Sequence, residues 1–169
     1  MHRLFLLRHA KSGWAAPGMT DFERPLTASG ISDAEALGRH MRDSGLLPDL
    51  VLCSTARRAR ETLDRVLSVF GEMTPRIIHD EELYNSDAAR YVEIIRQAPE
   101  NAALLVVGHN PVMEDLAFAL PRGGNADAMR LASSGFPTCG LAVLGFENPL
   151  SELKPGTGSL EAFLRPERV

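Results

Sequence analysis

The chain reads as an α/β protein, a three-layer α/β/α sandwich around a mostly parallel central sheet. Three observations predict it. Short apolar runs alternate with segments of helical period through most of the length, the pattern of strands covered by crossover helices. The strongest run, Ala102–Val107 (AALLVV), is apolar on both faces, as expected of a strand buried between two helical layers. A length of 169 residues with 44% hydrophobic and 24% charged content fits one domain spanning residues 1–169. A chain of that size buries roughly 70% of its unfolded surface and needs neither disulfides nor metal to fold.

Taken in order, Arg3–Leu7 is the first predicted strand. Gly13–Pro25 follows as a loop, broken by Pro17, Gly18 and Pro25 and without apolar period. Thr27 is the N-cap of a helix whose Ile31, Ala34, Leu37 and Met41 share one face. Asp49–Cys53 (DLVLC) is the second strand, and Ala59, Leu63, Val66, Leu67 and Phe70 mark the helix after it. Arg76–His79 (RIIH) is the third strand, followed by a helix through Ala88, Tyr91, Val92 and Ile95. Ala102–Val107 leads into a helix through Val112, Leu116, Ala119 and Leu120. Pro121–Pro137, with Gly123, Gly124 and Gly135 inside it, reads as a loop, and so does Asn148–Gly158. Gly140–Phe146 (GLAVLGF) and Leu160–Leu164 (LEAFL) are two last strands with no helix between them, which places them in a hairpin or an antiparallel edge.

Composition excludes several function classes. Two cysteines, Cys53 and Cys139, both in apolar runs, rule out a disulfide scaffold and a multi-cysteine zinc site. A net charge of −4, from 18 Lys+Arg against 22 Asp+Glu, argues against nucleic acid as a general partner. The apolar run Leu4–Leu7 is too short for a signal peptide, and no stretch approaches the roughly 20 apolar residues of a membrane span. The expectation is a cytoplasmic chain with reduced cysteines and no membrane partner.

In parallel α/β sheets ligands bind beyond the carboxyl ends of the strands. The first strand ends in Arg8-His9, followed by Ala10-Lys11-Ser12; the second runs from Ser54 into Thr55-Ala56-Arg57-Arg58-Ala59-Arg60; the fourth ends in Gly108-His109-Asn110-Pro111. The second end breaks a local rule. Helix N-termini favour acidic residues, yet Arg57, Arg58 and Arg60 fill this first turn, a conflict expected where an anion is to be bound. Of the five histidines, His2 and His40 read as solvated and His79 as structural, which leaves His9 and His109. With two arginines beside them they make an anion site that contains a nucleophile. No Gly-x-Ser-x-Gly turn and no His-x-His or acidic cluster at metal-ligand spacing competes with it.

Four motifs, in order, give a resemblance. Leu7-Arg8-His9-Ala10-Lys11-Ser12 resembles the Arg-His-Gly motif of the histidine phosphatase superfamily, phosphoglycerate-mutase-like branch. Ser54-Thr55-Ala56-Arg57-Arg58-Ala59-Arg60-Glu61-Thr62 resembles its Ser-x-x-x-Arg-Ala-x-x-Thr motif, and Gly108-His109-Asn110-Pro111 its second-histidine motif. Arg24-Pro25-Leu26-Thr27-Ala28-Ser29-Gly30 is similar to a segment of the small members, and the short chain points to the SixA-like phosphohistidine phosphatases. The resemblance runs from residue 4 to about residue 120 and implies a phosphoglycerate-mutase-like fold. It departs at Ala10, where the superfamily commonly has Gly, and at the general acid, for which Glu81 and Glu82 stand in no convincing copy of the acid motif.

The resemblance implies that His9 attacks phosphorus in line, forms a phosphohistidine and is released by water, while Arg8, Arg58 and His109 hold the phosphoryl oxygens. Motif spacing makes Arg58 the clamp and leaves Arg57 at the rim. Ser12 and Lys11 border the phosphate pocket or belong to the loop. No metal and no cofactor is implied. Two substrate classes stay open: a phosphohistidine protein or other phosphoramidate, which a small lidless chain admits, or a small phosphorylated metabolite, with Glu81 or Glu82 as acid. A non-catalytic phosphate-binding relative is the third possibility.

Overall fold

A computed structural model describes residues 1–166. Seven strands form one sheet: β1 (His2–Arg8), β2 (Leu50–Ser54), β3 (Arg76–Asp80), β4 (Ala103–Gly108), β5 (Pro121–Gly124), β6 (Leu141–Phe146) and β7 (Gly158–Leu164). Five helices accompany them: α1 (Ala28–Asp43), α2 (Arg57–Leu67), α3 (Ala88–Gln97), α4 (Val112–Ala119) and α5 (Ala126–Ser133). The strand order is β3-β2-β4-β1-β6-β7-β5. β3, β2, β4 and β1 are mutually parallel, β6 runs against both β1 and β7, and β5 is parallel to β7. Only β6 therefore opposes the common direction.

Strand alternation divides the core into two layers. Leu4, Leu6, Leu52, Leu104, Val106 and Leu144 face α3 and α4 and pack with Tyr91, Ile95, Met113 and Leu116. Phe5, Leu7, Val51, Cys53, Leu105 and Val107 face α1 and α2 and pack with Leu37, Met41, Leu63 and Val66. Each buried aliphatic side chain contributes about 1.5–3 kcal/mol, so the doubly buried β1 and β4 anchor the sheet.

Thr27 caps α1 as expected, its Oγ1 accepting the Gly30 N–H at 3.0 Å. Gly30 is needed for a second reason. A Cβ there would collide with the Lys11 carbonyl, so the first turn of α1 rests directly on the segment that follows β1.

Three expectations need correction. Pro121–Pro137 is not a loop but holds β5 and α5. Prolines and glycines suit an edge strand whose partners are backbone groups of β7. Asn125 caps α5 through the Ala128 N–H, and Ala128, Leu131 and Ala132 turn one short apolar face to the core, within a segment whose glycines and prolines read as a loop. β6 and β7 do pair antiparallel, but β5 and not β7 lies at the edge. Phe70 lies beyond the end of α2, packed into the core all the same. Among the described residues no helix is long and apolar enough to cross a membrane.

Candidate active site

Register brings the two histidines side by side. Arg8 pairs with Gly108 across β1 and β4, so His9 and His109 are the next residues on adjacent parallel strands. The His9 N–H donates to the Gly108 carbonyl at 3.0 Å, and the two rings lie 5.3 Å apart, centroid to centroid. His9, Arg58 and His109 are buried; Arg8 is half-buried.

The His9 ring is oriented by its own backbone. Its Nδ1 lies 2.7 Å from the Ala10 carbonyl oxygen. A carbonyl only accepts, so Nδ1 carries the hydrogen and Nε2 keeps the lone pair. Ala10 is fully buried, and its N–H donates to Thr62 Oγ1 at 2.9 Å, which in turn donates to the Arg58 carbonyl at 2.7 Å. Thr62 thus ties α2 to the nucleophile segment. The positive-φ non-glycine residue among those described is Cys139, so the extra methyl of Ala10 meets no left-handed backbone.

Helical phase separates the two candidate arginines. Arg58 shares the buried face of α2 with Ala59, Thr62, Leu63 and Val66, whereas Arg57 is exposed and paired with Glu61 at 3.1 Å. Ala56, the N-cap, makes no side-chain capping bond, and the first turn of α2 holds no acidic residue. The helix end therefore adds to the positive field. Arg58 donates from Nη1 to the Asp21 carbonyl at 2.8 Å and from Nη2 to Asp21 Oδ2 at 3.1 Å. Arg8 donates from Nη1 to the Phe136 carbonyl at 3.0 Å. Among the described residues, the buried side-chain atoms without a hydrogen-bond partner include Arg8 Nε, Arg58 Nε and His109 Nδ1.

Two residues not singled out from the sequence complete the site. Asp21 Oδ2 accepts from Arg58 and, at 2.8 Å, from the Tyr84 hydroxyl, while its Oδ1 accepts from Arg24 Nε at 2.9 Å. The Tyr84 ring stands edge-on to His109 at 5.5 Å, and the Arg58 guanidinium lies 5.7 Å from its centroid. Asp21 belongs to the loop expected at Gly13–Pro25, where a short 3₁₀ turn spans Asp21–Glu23. Tyr84 follows the 3₁₀ turn Glu81–Leu83. Neither carries periodicity; the one available signal was two basic strand ends with no counter-ion assigned to them.

The candidate acids lie elsewhere. Glu82 pairs with Arg90 at 2.6 Å, and Glu81 is exposed with no side-chain bond to the site residues. Ser12 forms an isolated bridge with Leu26, and its hydroxyl accepts from Arg24 Nη1 at 3.1 Å. The structure brings together Arg8, His9, Arg58 and His109, with Ser12 attached to their outer side through Arg24. Lys11 is exposed. His79 is exposed on the edge strand β3, and His2 is half-buried rather than solvated. Among the described residues no group of three or more His, Cys, Asp or Glu side chains is placed to hold a metal ion.

The charges of the site follow from burial and its cations. Burial, then Arg58, Arg8 and Arg24, push the His9 imidazole down to about 4, against the Ala10 hydrogen bond that raises it. Burial, then His9 and Arg58, push His109 down to about 3. The Tyr84 hydrogen bond, then Arg58 and Arg24, hold the Asp21 carboxyl at about 2. At neutral pH both imidazoles are neutral and the Asp21 carboxyl is ionised, beside the guanidinium groups of Arg8, Arg58 and Arg24.

A sequence model of the histidine phosphatase superfamily (branch 1) matches residues 4–92. The chain belongs to that superfamily. The matched stretch covers Arg8, His9 and Arg58; relatives extend the likeness over His109. An uncharacterised protein of Mycobacterium tuberculosis is 37% identical over 163 residues, 95% of this chain and 99% of that one. A solved structure from Agrobacterium tumefaciens, described as a candidate phosphohistidine phosphatase SixA, is 37% identical, covers 98% of both chains and superposes with a TM-score of 0.80. A second SixA candidate, from Nakamurella multipartita, is 26% identical with a TM-score of 0.83, over 98% of this chain and 96% of that one. Among histidine phosphatases, the chain resembles the SixA type.

Proposed function

We propose that this phosphatase hydrolyses the P–N bond of phosphohistidine in a protein or peptide, by way of a phosphohistidine intermediate on His9. One observation carries the substrate class. The site holds a complete anion clamp, but Asp21 is ionised and bound to Arg58, Arg24 and Tyr84, and the other carboxylate near it, Glu114 beside Arg8, accepts the Phe136 N–H. An ionised carboxylate gives no proton to a departing alkoxide. An imidazole leaving group needs none from the protein, because its other nitrogen takes a proton from solvent near neutral pH.

In the first step the Nε2 lone pair of His9 forms a bond to phosphorus. The P–N bond of the substrate breaks, and its electron pair returns to the leaving imidazole. Arg8 Nε, Arg58 Nε and His109 Nδ1 supply hydrogen bonds to the non-bridging oxygens, over which transition-state charge spreads. In the second step water attacks phosphorus, the P–Nε2 bond breaks, and the proton of water passes to phosphate and solvent. The Ala10 carbonyl holds the hydrogen on Nδ1 throughout. His9 therefore leaves as neutral imidazole, and its low basicity makes it a willing leaving group. The likeness to SixA-type structures supports the substrate class, and no step requires a metal or cofactor.

The test is a panel containing a phosphohistidine peptide, sugar phosphates and nucleoside monophosphates, assayed in the presence of EDTA. The expected result is a kcat/KM for phosphohistidine at least about 10²-fold above any monoester, the scale of lost acid catalysis. Preference for a monoester by a similar factor would make the chain a small-molecule phosphomonoesterase and overturn the proposal.

A pH dependence follows with a defined sign. His9 must be neutral to attack, and its pKa lies at about 4. The acid limb of kcat/KM is expected near pH 4, with activity retained below pH 6, where an ordinary histidine of pKa about 6.5 is largely protonated. Stability moves in the same window. Between pH 6.5 and 4 the unfolded chain binds protons on His9 and His109 that the folded chain refuses, so stability falls with pH by about 1.4 kcal/mol per unit for each. Circular dichroism alongside the assay separates the two. A loss of activity between pH 7 and 6 with the fold intact would contradict the assignment of His9.

A further inference from the structure

We propose that Ser54 is a positioning residue that fixes His109 as the Nδ1–H tautomer, so that a neutral ring donates from Nδ1 to a phosphoryl oxygen. Ser54 ends β2 and is fully buried. Its Oγ lies 2.8 Å from His109 Nε2 and accepts the Ala56 N–H at 3.3 Å. A hydroxyl has one hydrogen to give. Among the described residues, His109 Nε2 is the acceptor within reach of it.

Were the ring hydrogen on Nε2, that nitrogen would donate and the serine hydrogen would be stranded in the core. Stranding a buried donor disfavours a state by roughly 10- to 100-fold in population. The hydroxyl therefore donates to Nε2, and the ring hydrogen moves to Nδ1. In free histidine the hydrogen prefers Nε2, so the arrangement is imposed by the fold.

The consequence reaches the chemistry. His109 Nδ1 is buried and has no partner within the chain. Of its charged neighbours, Arg8 and Arg58 are donors like itself, and the Asp21 carboxylate is already held by Arg58, Arg24 and Tyr84. With the lone pair on Nδ1, the ring would repel phosphoryl oxygens; with the hydrogen there, it binds them. His9 carries its hydrogen on the same ring atom for the opposite purpose, since the Ala10 carbonyl takes Nδ1–H and frees Nε2 for attack. One hydrogen-bond partner on each ring thus makes a nucleophile of the first and a donor of the second.

The inference rests on the phosphoryl-binding role of the site but on no particular leaving group. It is tested on the full chain by long-range ¹H–¹⁵N correlation spectra of the histidine rings at pH 7, with tungstate as the oxyanion probe. The parent protein is expected to show His109 protonated at Nδ1, with that signal moving when tungstate binds. Ser54→Ala is expected to transfer hydrogen to Nε2, leave the His9 tautomer unchanged and weaken tungstate binding about 10- to 100-fold. Ser54→Thr, which keeps the hydroxyl, should restore most of that loss. In a His109→Ala background, Ser54→Ala should cost nothing further.

An Nε2–H ring in the parent protein would overturn the proposal, even if no variant folds. So would an equal loss from Ser54→Ala in both backgrounds, since that is the mark of a merely structural role. A parent protein that binds no tungstate would overturn the anion-site reading along with this one. Preference for a monoester substrate, by contrast, would sink the phosphohistidine reading and leave the ring spectrum as expected.

Discussion

His9→Ala is expected to lower kcat by at least about 10⁴-fold while leaving the fold intact, because it removes the atom that bonds to phosphorus. The ring is buried beside the His109 ring and the Ala10 carbonyl, so truncation also leaves a small polar-lined gap. The Ala10 carbonyl loses its ring partner, but the Ala10 N–H stays bonded to Thr62 Oγ1 and Arg58 keeps both bonds to Asp21. Oxyanion binding should therefore survive, and tungstate affinity within about tenfold of the parent is the control. Steady-state turnover of a phosphohistidine peptide and of a generic aryl phosphate measures the effect. A variant as active as the parent would remove His9 as nucleophile.

Arg58→Ala is expected to cost about 10²–10³ in kcat, the scale for losing one preorganised charge-stabilising donor. It also has a signature that simple misfolding does not share. Arg58 is the strongest of the cations that depress the His9 pKa. Removing it should move the acid limb of kcat/KM upward from about pH 4, toward the ordinary histidine range. Arg58→Lys keeps a charge but loses the planar fork that bonds Asp21 twice. It should hold the acid limb near its parent position while losing most of the rate. An acid limb equally unmoved in both variants would show that Arg58 does not face His9.

What the sequence disclosed and what it withheld divide along one physical line. Arg8, His9 and His109 were legible because they follow apolar strands, and strand register is set by the same alternation that builds the core. Arg58 was distinguishable from Arg57 by motif spacing, and helical phase supplies the physical reason, since Arg58 lies four residues before Thr62 on the buried face of α2. Asp21 opens one 3₁₀ turn and Tyr84 follows another, and the course of both is set by what they touch, namely Arg58, Arg24 and each other. No local period encodes such a contact. The same holds for β5 and α5. A Pro-Arg-Gly-Gly strand is a strand only because Leu160 and its neighbours in β7 present backbone partners to it. Ser54 was legible as part of a motif, yet its task depends on a hydrogen aimed across to the end of β4.

The central claim is that phosphorus is bonded for a time to Nε2 of His9. Rapid quench of the parent protein with ³²P-labelled phosphohistidine peptide, followed by peptide mapping under alkaline conditions, tests it most directly. The expected result is label that is acid-labile and base-stable, carried by the peptide containing His9, bound at Nε2, and absent from His9→Ala. Label on His109 or any other residue, with His9 unmodified throughout turnover, would contradict it.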